Sequence, residues 1–302
     1  MKALITGAGG FVGHHLIDHL NACGDEVMTT DRSIDGLDIT DAPALLESFR
    51  RQRPEVVYHL AGASDVGGSW SPPQATFRSN AEGTLNVLGA AREAGIDRVL
   101  TVGSADVYGK VAAEDLPIRE SLAMRPVSPY AASKASADHV ALQAHQGFGQ
   151  SVVRARPFNH LGPGQSNRFV AAALAERVAR NELDDESHVR VGNLSPRRDF
   201  TDVRDVVRAY RLLVEHGVDG EVYNECSGQA IAVQALADEL IALARIPMEL
   251  VIDPDLERPV DIPVLLGDNS RLCADTGWTP EIPLTTTLAD LLDDQRRRVH
   301  TT

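Results

Sequence analysis

The chain has few of the features that would place it in several broad classes. Only three cysteines, Cys23, Cys226 and Cys273, occur in 302 residues. They lie far apart and without metal-like spacing, which excludes a disulfide framework and a thiolate metal site, and fits reduced thiols in a cytoplasm. No apolar stretch approaches the roughly 20 residues that cross a bilayer. Met1-Lys2 leads directly into a strand-like run, with no signal-peptide pattern. Cations are also scarce: 29 Lys and Arg stand against 43 Asp and Glu, a formal net charge of −14. This excludes general attraction to nucleic acid or to an anionic membrane. An anionic substrate must therefore be met by locally placed Arg or Lys. No internal repeat or low-complexity segment occurs, and the length suits one large domain or two closely joined ones.

What is present is an alternation of apolar runs with helical patterns. Residues 2–6, 26–30, 56–60, 98–103 and 151–155 read as strands. Between them, apolar residues recur at helical spacing after residue 11 (with Gly24 as a stop) and over 42–51, 75–93 and 129–147. Such alternation predicts an α/β fold with a parallel sheet covered on both faces. After Pro157 the loops become richer in Gly, Pro, Asn and Arg, and the strands become shorter. Helical patterns begin near Asp202 and cover 233–244 and 284–298. The expected division is 1–157 as a dinucleotide-binding domain and 158–302 as a smaller C-terminal α/β substrate-binding lobe, with segments able to return to the first domain.

Gly7-Ala-Gly-Gly-Phe-Val-Gly13 lies between the first strand and the first helix. Gly7, Gly10 and Gly13 leave no side chain between the backbone and a pyrophosphate, and the N-terminus of the helix carrying Phe11 and Val12 offers free N–H groups to that anion. In this strand–turn–helix context the glycines predict a Rossmann-type, doubly wound dinucleotide site. Asp31 ends the second strand, 18 residues beyond Gly13. Its carboxylate suits the adenosine ribose hydroxyls and so favours NAD, whereas Arg32 beside it can accommodate the 2′-phosphate of NADP. Asp38 and Ile39 are placed to flank the adenine. Leu60, Ala61 and Gly62 end the third strand with small residues that admit a cofactor.

Ser104 follows the fourth strand, where open parallel sheets bind ligands. Tyr130-Ala-Ala-Ser-Lys134 puts a phenol and an ammonium on one helix face, four residues apart. A nearby ammonium favours the phenolate, so Tyr130 is expected to titrate below its usual range and to exchange a proton with a carbonyl oxygen held by Ser104. Lys134 is also expected to reach the nicotinamide ribose.

These residues resemble the extended short-chain dehydrogenases/reductases in the branch that processes nucleotide-linked sugars. The resemblance runs from Ala3 to about Trp278 and is carried by Thr6–Gly13, His59–Ser64, Asn80–Leu88, Gly103–Gly109 and Tyr130–Lys134. It implies that Asn80 organises the active-site end of the sheet, that Pro157 and Phe158 lie against the nicotinamide, and that the helices at 75–93 and 129–147 form a homodimer interface. Arg156–Gln165, Val191–Val206, Val222–Gly228 and Arg258–Asp261 are similar to the GDP-sugar group, which includes GDP-mannose 4,6-dehydratases and GDP-4-dehydro-6-deoxy-D-mannose reductases. By this resemblance Arg198 and Arg258 hold a diphosphate, which two guanidiniums can clamp. Asn159 contacts the sugar-diphosphate region and Asp261 takes a ribose hydroxyl. Ser64, Val170 and Asn193 complete the expected substrate contacts.

Dehydratases of this group typically place Glu two residues after the active-site Ser or Thr. Here that residue is Asp106, whose carboxylate is retracted by about 1.5 Å, the length of a C–C bond. Asp106 is expected either to take part in catalysis or to cap its loop. The expected reaction is NAD(P)H-dependent reduction of the C4 ketone of GDP-4-dehydro-6-deoxy-D-mannose to GDP-D-rhamnose. The alternatives are a GDP-mannose 4,6-dehydratase, an epimerase, or a non-catalytic cofactor sensor.

Overall fold

The computed structural model describes residues 1–256 and 262–300. Five strands follow the predicted runs closely: β1 (Lys2–Thr6), β2 (Glu26–Thr30), β3 (Val56–His59), β4 (Arg98–Val102) and β5 (Val152–Pro157). All are parallel, and the connections between them are helical: α1 (Phe11–Ala22), α2 (Ala42–Gln52), α3 (Pro73–Phe77), α4 (Gly83–Ala94) and α5 (Pro129–Phe148). Alternate residues of β1 serve opposite layers: Ala3 and Ile5 pack toward α1, and Leu4 packs toward α2 and α4. Burial on both faces is why these strands read as continuous apolar runs.

The strand order is β2-β1-β3-β4-β5, followed by β9 (Val222–Glu225). The chain winds one way from β1 to β2 and the other way from β1 to β3. A crevice therefore opens beyond the strand ends at that switch point, and the glycine turn sits in it.

The helix expected over 75–93 is not uniform. Between α3 and α4, Arg78–Glu82 forms a π-helical turn. The turn projects the Asn80 carboxamide sideways, so that its Oδ1 accepts from the Ala63 N–H (2.8 Å) and its Nδ2 donates to the Ala63 carbonyl (3.1 Å) and to Ser133 Oγ (2.9 Å). Such single-turn distortions recur at functional sites.

Beyond β5 the chain builds a second layer set from β6 (Asn159–Leu161), α6 (Val170–Asp184), β7 (His188–Val191), β8 (Arg197–Asp202), α7 (Val203–His216), β10 (Ala230–Ala232), α8 (Val233–Ala242), β11 (Glu249–Ile252), β12 (Val264–Leu265), α9 (Ser270–Thr276) and α10 (Leu284–Val299). β8 is flanked by β10 and β12 and also pairs with β6, and β11 pairs with β7. A separate core joins α6, α8 and α10 through Leu174, Val178, Leu236, Leu240, Leu288 and Leu291. Position 157 is not a clean spatial cut. β9 is the sixth strand of the first sheet, and α7 packs on that sheet beside α1 through Val206, Tyr210 and Leu213. Spacing alone leaves 170–184 unassigned, because α6 packs mainly on small alanines (Ala171, Ala172, Ala175, Ala179) that give a weak apolar signal.

Candidate active site

A cavity of about 1400 Å³ runs along the carboxyl ends of the first sheet and under the second layer set. At one end Gly7, Gly10, Phe11, Val12 and Gly13 form its wall. Gly7 has φ +76°, and a Cβ there would meet the Ala61 backbone nitrogen at 2.5 Å. A Cβ on Gly13 would meet the Gly7 and Ala8 carbonyl oxygens at 2.6 Å. The N-cap residue of α1, Gly10, provides no side-chain hydrogen bond, so the first N–H groups of the helix are left for an anion. This bare cradle fits the pyrophosphate of a dinucleotide.

Asp31, Arg32, Asp38 and Ile39 line the adjoining stretch, as do Leu60, Ala61 and Gly62. The Asp31 carboxylate already accepts from Ser33 N–H (2.8 Å) and Ser33 Oγ (2.6 Å). Arg32 is 79% exposed and stands 3.8 Å from Asp38, whose carboxyl is held below its usual range by the Thr40 backbone and hydroxyl. Arg78, from the π-helical turn, adds a second cation to this lip. Sequence spacing missed it because a π turn changes which side chain faces the cleft.

At the opposite end Ser104, Asp106, Tyr130 and Lys134 converge with Pro157 and Phe158. Ser104 caps the short 3-10 turn Ala105–Tyr108 and accepts the Asp106 N–H at 3.2 Å. Its hydroxyl lines the same end of the cavity as the Tyr130 phenol and favours the phenolate. Ser128 caps α5 and Pro129 begins it, which fixes Tyr130 in the first turn. The expected lowering of Tyr130 by Lys134 is corrected here. Burial first, and then the Asp106 charge, push the phenol above its usual range, outweighing the lowering influence of Ser104. Lys134 is instead tied to the Val102 carbonyl at 2.8 Å, and burial lowers it to about 8. A phenol held protonated is suited to giving a proton away.

Asn80 does not reach the cavity wall. It stands behind it, tying the loop after β3 to α5 through the bonds to Ala63 and Ser133. Behind Ser104 a buried charge cluster stiffens the floor: Asp138 accepts from Arg154 Nη1 (2.5 Å) and Arg156 Nε (2.9 Å), and Arg156 Nη1 donates to Tyr108 Oη (2.8 Å).

The remaining wall comes from both lobes. Ser64, Asn159 and Arg198 line it as expected, joined by His160, Gln165, Arg168 and Phe169. Asn159 Oδ1 and Gln165 Oε1 are buried acceptors without a partner, which suits the hydroxyls of a sugar. Arg198 Nη1 donates to the Ile262 carbonyl at 2.6 Å. Arg168 reaches Asp65 at 3.4 Å across the cavity mouth. His160 of β6 and the loop residues Gln165, Arg168 and Phe169 approach the cavity through tertiary folding, so no local pattern singles them out. Two expected contacts are corrected. Val170 packs on the second core, and Asn193 is exposed, with its Oδ1 accepting Ser195 N–H (3.0 Å) and Ser195 Oγ (2.8 Å) in a tight turn; neither lines the cavity. Arg258 and Asp261 lie outside the described residues. Among the described residues no His/Cys/Asp/Glu group could hold a metal.

Residues 3–226 match the family model described as the NAD dependent epimerase/dehydratase family. The chain belongs to this family. It is also 38% identical to the GDP-6-deoxy-D-mannose reductase of Pseudomonas aeruginosa, covering 99% of this chain and 98% of that protein. The fold matches a structure of RMD from Pseudomonas aeruginosa complexed with NADPH (TM-score 0.91, 37% identity, 99% of this chain and 100% of that one). It also matches Thermus thermophilus UDP-glucose 4-epimerase complexed with NAD (TM-score 0.88, 28% identity, 98% and 99% covered). NAD(P)H is thus the cofactor class of this chain, and the cavity that holds the glycine cradle at one end and Ser104, Tyr130 and Lys134 at the other is the candidate place for it.

Proposed function

We propose that the protein reduces the C4 ketone of GDP-4-dehydro-6-deoxy-D-mannose to give GDP-D-rhamnose. The observation that carries this reading is the convergence of Ser104, Tyr130 and Lys134 at one end of the cavity, in a chain 38% identical over nearly its whole length to a GDP-6-deoxy-D-mannose reductase. Bound NAD(P)H supplies the hydride. Ser104 holds the ketone oxygen and Tyr130 donates its proton to that oxygen as negative charge builds there. Lys134, as a cation, stabilises the phenolate left behind and orients the nicotinamide ribose. Asp106 holds the phenol protonated between turnovers, so its role is electrostatic. Asn159 and Gln165 accept sugar hydroxyls, and Arg198, with Arg168 beside the mouth, meets the diphosphate that an acidic protein must otherwise repel. In this reading 158–302 acts mainly as the substrate lobe and 1–157 as the cofactor domain.

The cofactor is NAD(P)H. Asp31 favours NADH, and Arg32 with Arg78 admits the 2′-phosphate of NADPH. The protein works as a cytoplasmic homodimer through α4 and α5, where Leu85 and Phe148 are exposed. Its three free thiols fit that compartment, and no helix among the described residues is long and apolar enough to cross a membrane.

A second reading, a dehydratase or epimerase, is favoured by one observation only: a carboxylate, Asp106, at the reacting end. A panel of 4-keto nucleotide sugars, each offered with NADH or NADPH and followed by product analysis, tests the assignment. GDP-4-dehydro-6-deoxy-D-mannose should be the best substrate and GDP-D-rhamnose its product. Preference for a UDP- or dTDP-linked ketone would refute it.

A further inference from the structure

Beneath the reacting end lies an acid that the chemistry above does not use. β9 ends on Glu225, the register partner of Pro157 at the end of β5. Side chains alternate along a strand, so Glu225 shares the face of Tyr223, which packs with α7 and α1. Its backbone carbonyl accepts the Phe158 N–H at 2.8 Å, and Pro157 and Phe158 both line the cavity. Glu225 is fully buried, and neither carboxyl oxygen has a hydrogen-bond partner. Tyr210 of α7 repeats the pattern: it is fully buried, its phenol oxygen is unpartnered, and it lines the cavity. The charges of Glu225 and Tyr130 both act on its phenol, which burial pushes well above the usual range.

Among the described residues no cation pairs with Glu225. Asp199 of β8 is saturated by the N–H groups of Ser227, Gly228 and Gly267 and by the Ser227 hydroxyl. Asp205 of α7 holds Arg208 and the N–H groups of Glu281 and Ile282. Burial, then these two carboxylates, push the Glu225 carboxyl well above the usual carboxylate range. The other titratable groups at this end are Cys226, next in the chain, and Tyr130, Lys134 and His160 in the cavity wall. Lys134 is tied to the Val102 carbonyl. Burying an acid with no partner is costly unless something relieves it. What arrives at this end of the cavity is a ring that is neutral when reduced and carries a positive charge when oxidised. In a dry interior such a charge is screened far less than in water.

We propose that Glu225, behind Tyr210, is a proton-releasing counter-ion for the oxidised cofactor. It is a neutral acid while the ring is reduced. When the ring is cationic, the Glu225 O–H bond breaks, the proton leaves for solvent past the Tyr210 hydroxyl, and the carboxylate balances the new charge. No electrons move at Glu225. The effect is to stabilise the oxidised form and so ease hydride departure.

The test uses cofactor alone, so it does not depend on which sugar is reduced. Isothermal titration in buffers of different ionisation enthalpy counts the protons released on binding. NADP⁺ and NADPH carry the same phosphates, so the difference between them reports the ring. The Tyr130→Phe protein removes the catalytic phenol from that count. In it, NADP⁺ should still release more protons than NADPH. Adding Glu225→Gln should abolish the excess and weaken NADP⁺ about tenfold relative to NADPH, the equivalent of one pK unit. Glu225→Leu replaces the buried acid by an apolar side chain that the site can hold, and should give the same result should the Gln variant fail to fold. Equal proton counts for the two cofactor forms in Tyr130→Phe would overturn the proposal, as would an excess that survives removal of the carboxyl.

Discussion

The two ends of the cavity are built from different kinds of chain. The cofactor end comes from consecutive elements, each closed by local chemistry: a glycine turn, an Asx turn at Asp31–Ser33, and a helix fixed at its start by Ser128 and Pro129. The substrate end is assembled from loops and short strands scattered over 159–265, held by contacts such as Arg198 to Ile262 and Arg168 to Asp65. Local chemistry leaves a mark in spacing, whereas assembly by distant contacts does not. Variants at the first end should therefore act sharply on chemistry or on folding, and variants at the second should act in graded fashion on substrate affinity.

The largest effect is expected at Tyr130. Tyr130→Phe should lower kcat by about 10²- to 10⁴-fold, the usual contribution of a positioned acid, while cofactor binding measured by fluorescence is retained. Next comes the buried cluster under Ser104. Asp138→Ala leaves Arg154 and Arg156 buried without their acceptor and should cost roughly 3–5 kcal/mol, read from urea unfolding.

At the substrate end, Arg198→Ala should raise KM about 10- to 100-fold, as loss of a charge-assisted bond worth roughly 1.5–3 kcal/mol implies, with a smaller change in kcat. A kcat effect matching that of Tyr130→Phe would erase the contrast between the two ends. A pH profile sharpens it further. Tyr130 is shifted upward, so it stays protonated through the neutral range. Lys134, lowered to about 8 by burial, loses its charge first as pH rises. kcat/KM should therefore fall about tenfold per unit above that point, and the limb should move to higher pH in Lys134→Arg. The smallest effect is expected at the cavity mouth. Asp65→Asn breaks only a solvent-exposed pair with Arg168 and should change stability by less than about 1 kcal/mol.

This contrast also explains how much could be read in the sequence. The parallel sheet, its order of helices, and the set Ser104, Tyr130 and Lys134 follow from periodicity and spacing, because each rests on neighbours in the chain. Asn80 was legible as an organiser but not as one that stands behind the wall, since a π turn re-aims its side chain. The direction of the Tyr130 shift was not legible: it depends on burial and on Asp106, and neither is visible in a four-residue spacing. Val170 and Asn193 failed as contacts because one faces a core built by α8 and α10, and the other is consumed by its own turn. β9 and α7 return to the first sheet through long-range packing that composition cannot express.

The proposed reaction is net reduction of a carbonyl by NAD(P)H, with Tyr130 as the proton donor. The most direct measurement is the stoichiometry of purified protein acting on GDP-4-dehydro-6-deoxy-D-mannose, with GDP-mannose in a parallel reaction. The account predicts one NAD(P)H oxidised for each GDP-D-rhamnose formed, and no change in GDP-mannose. Conversion of GDP-mannose alone, with no net oxidation of cofactor, would contradict it.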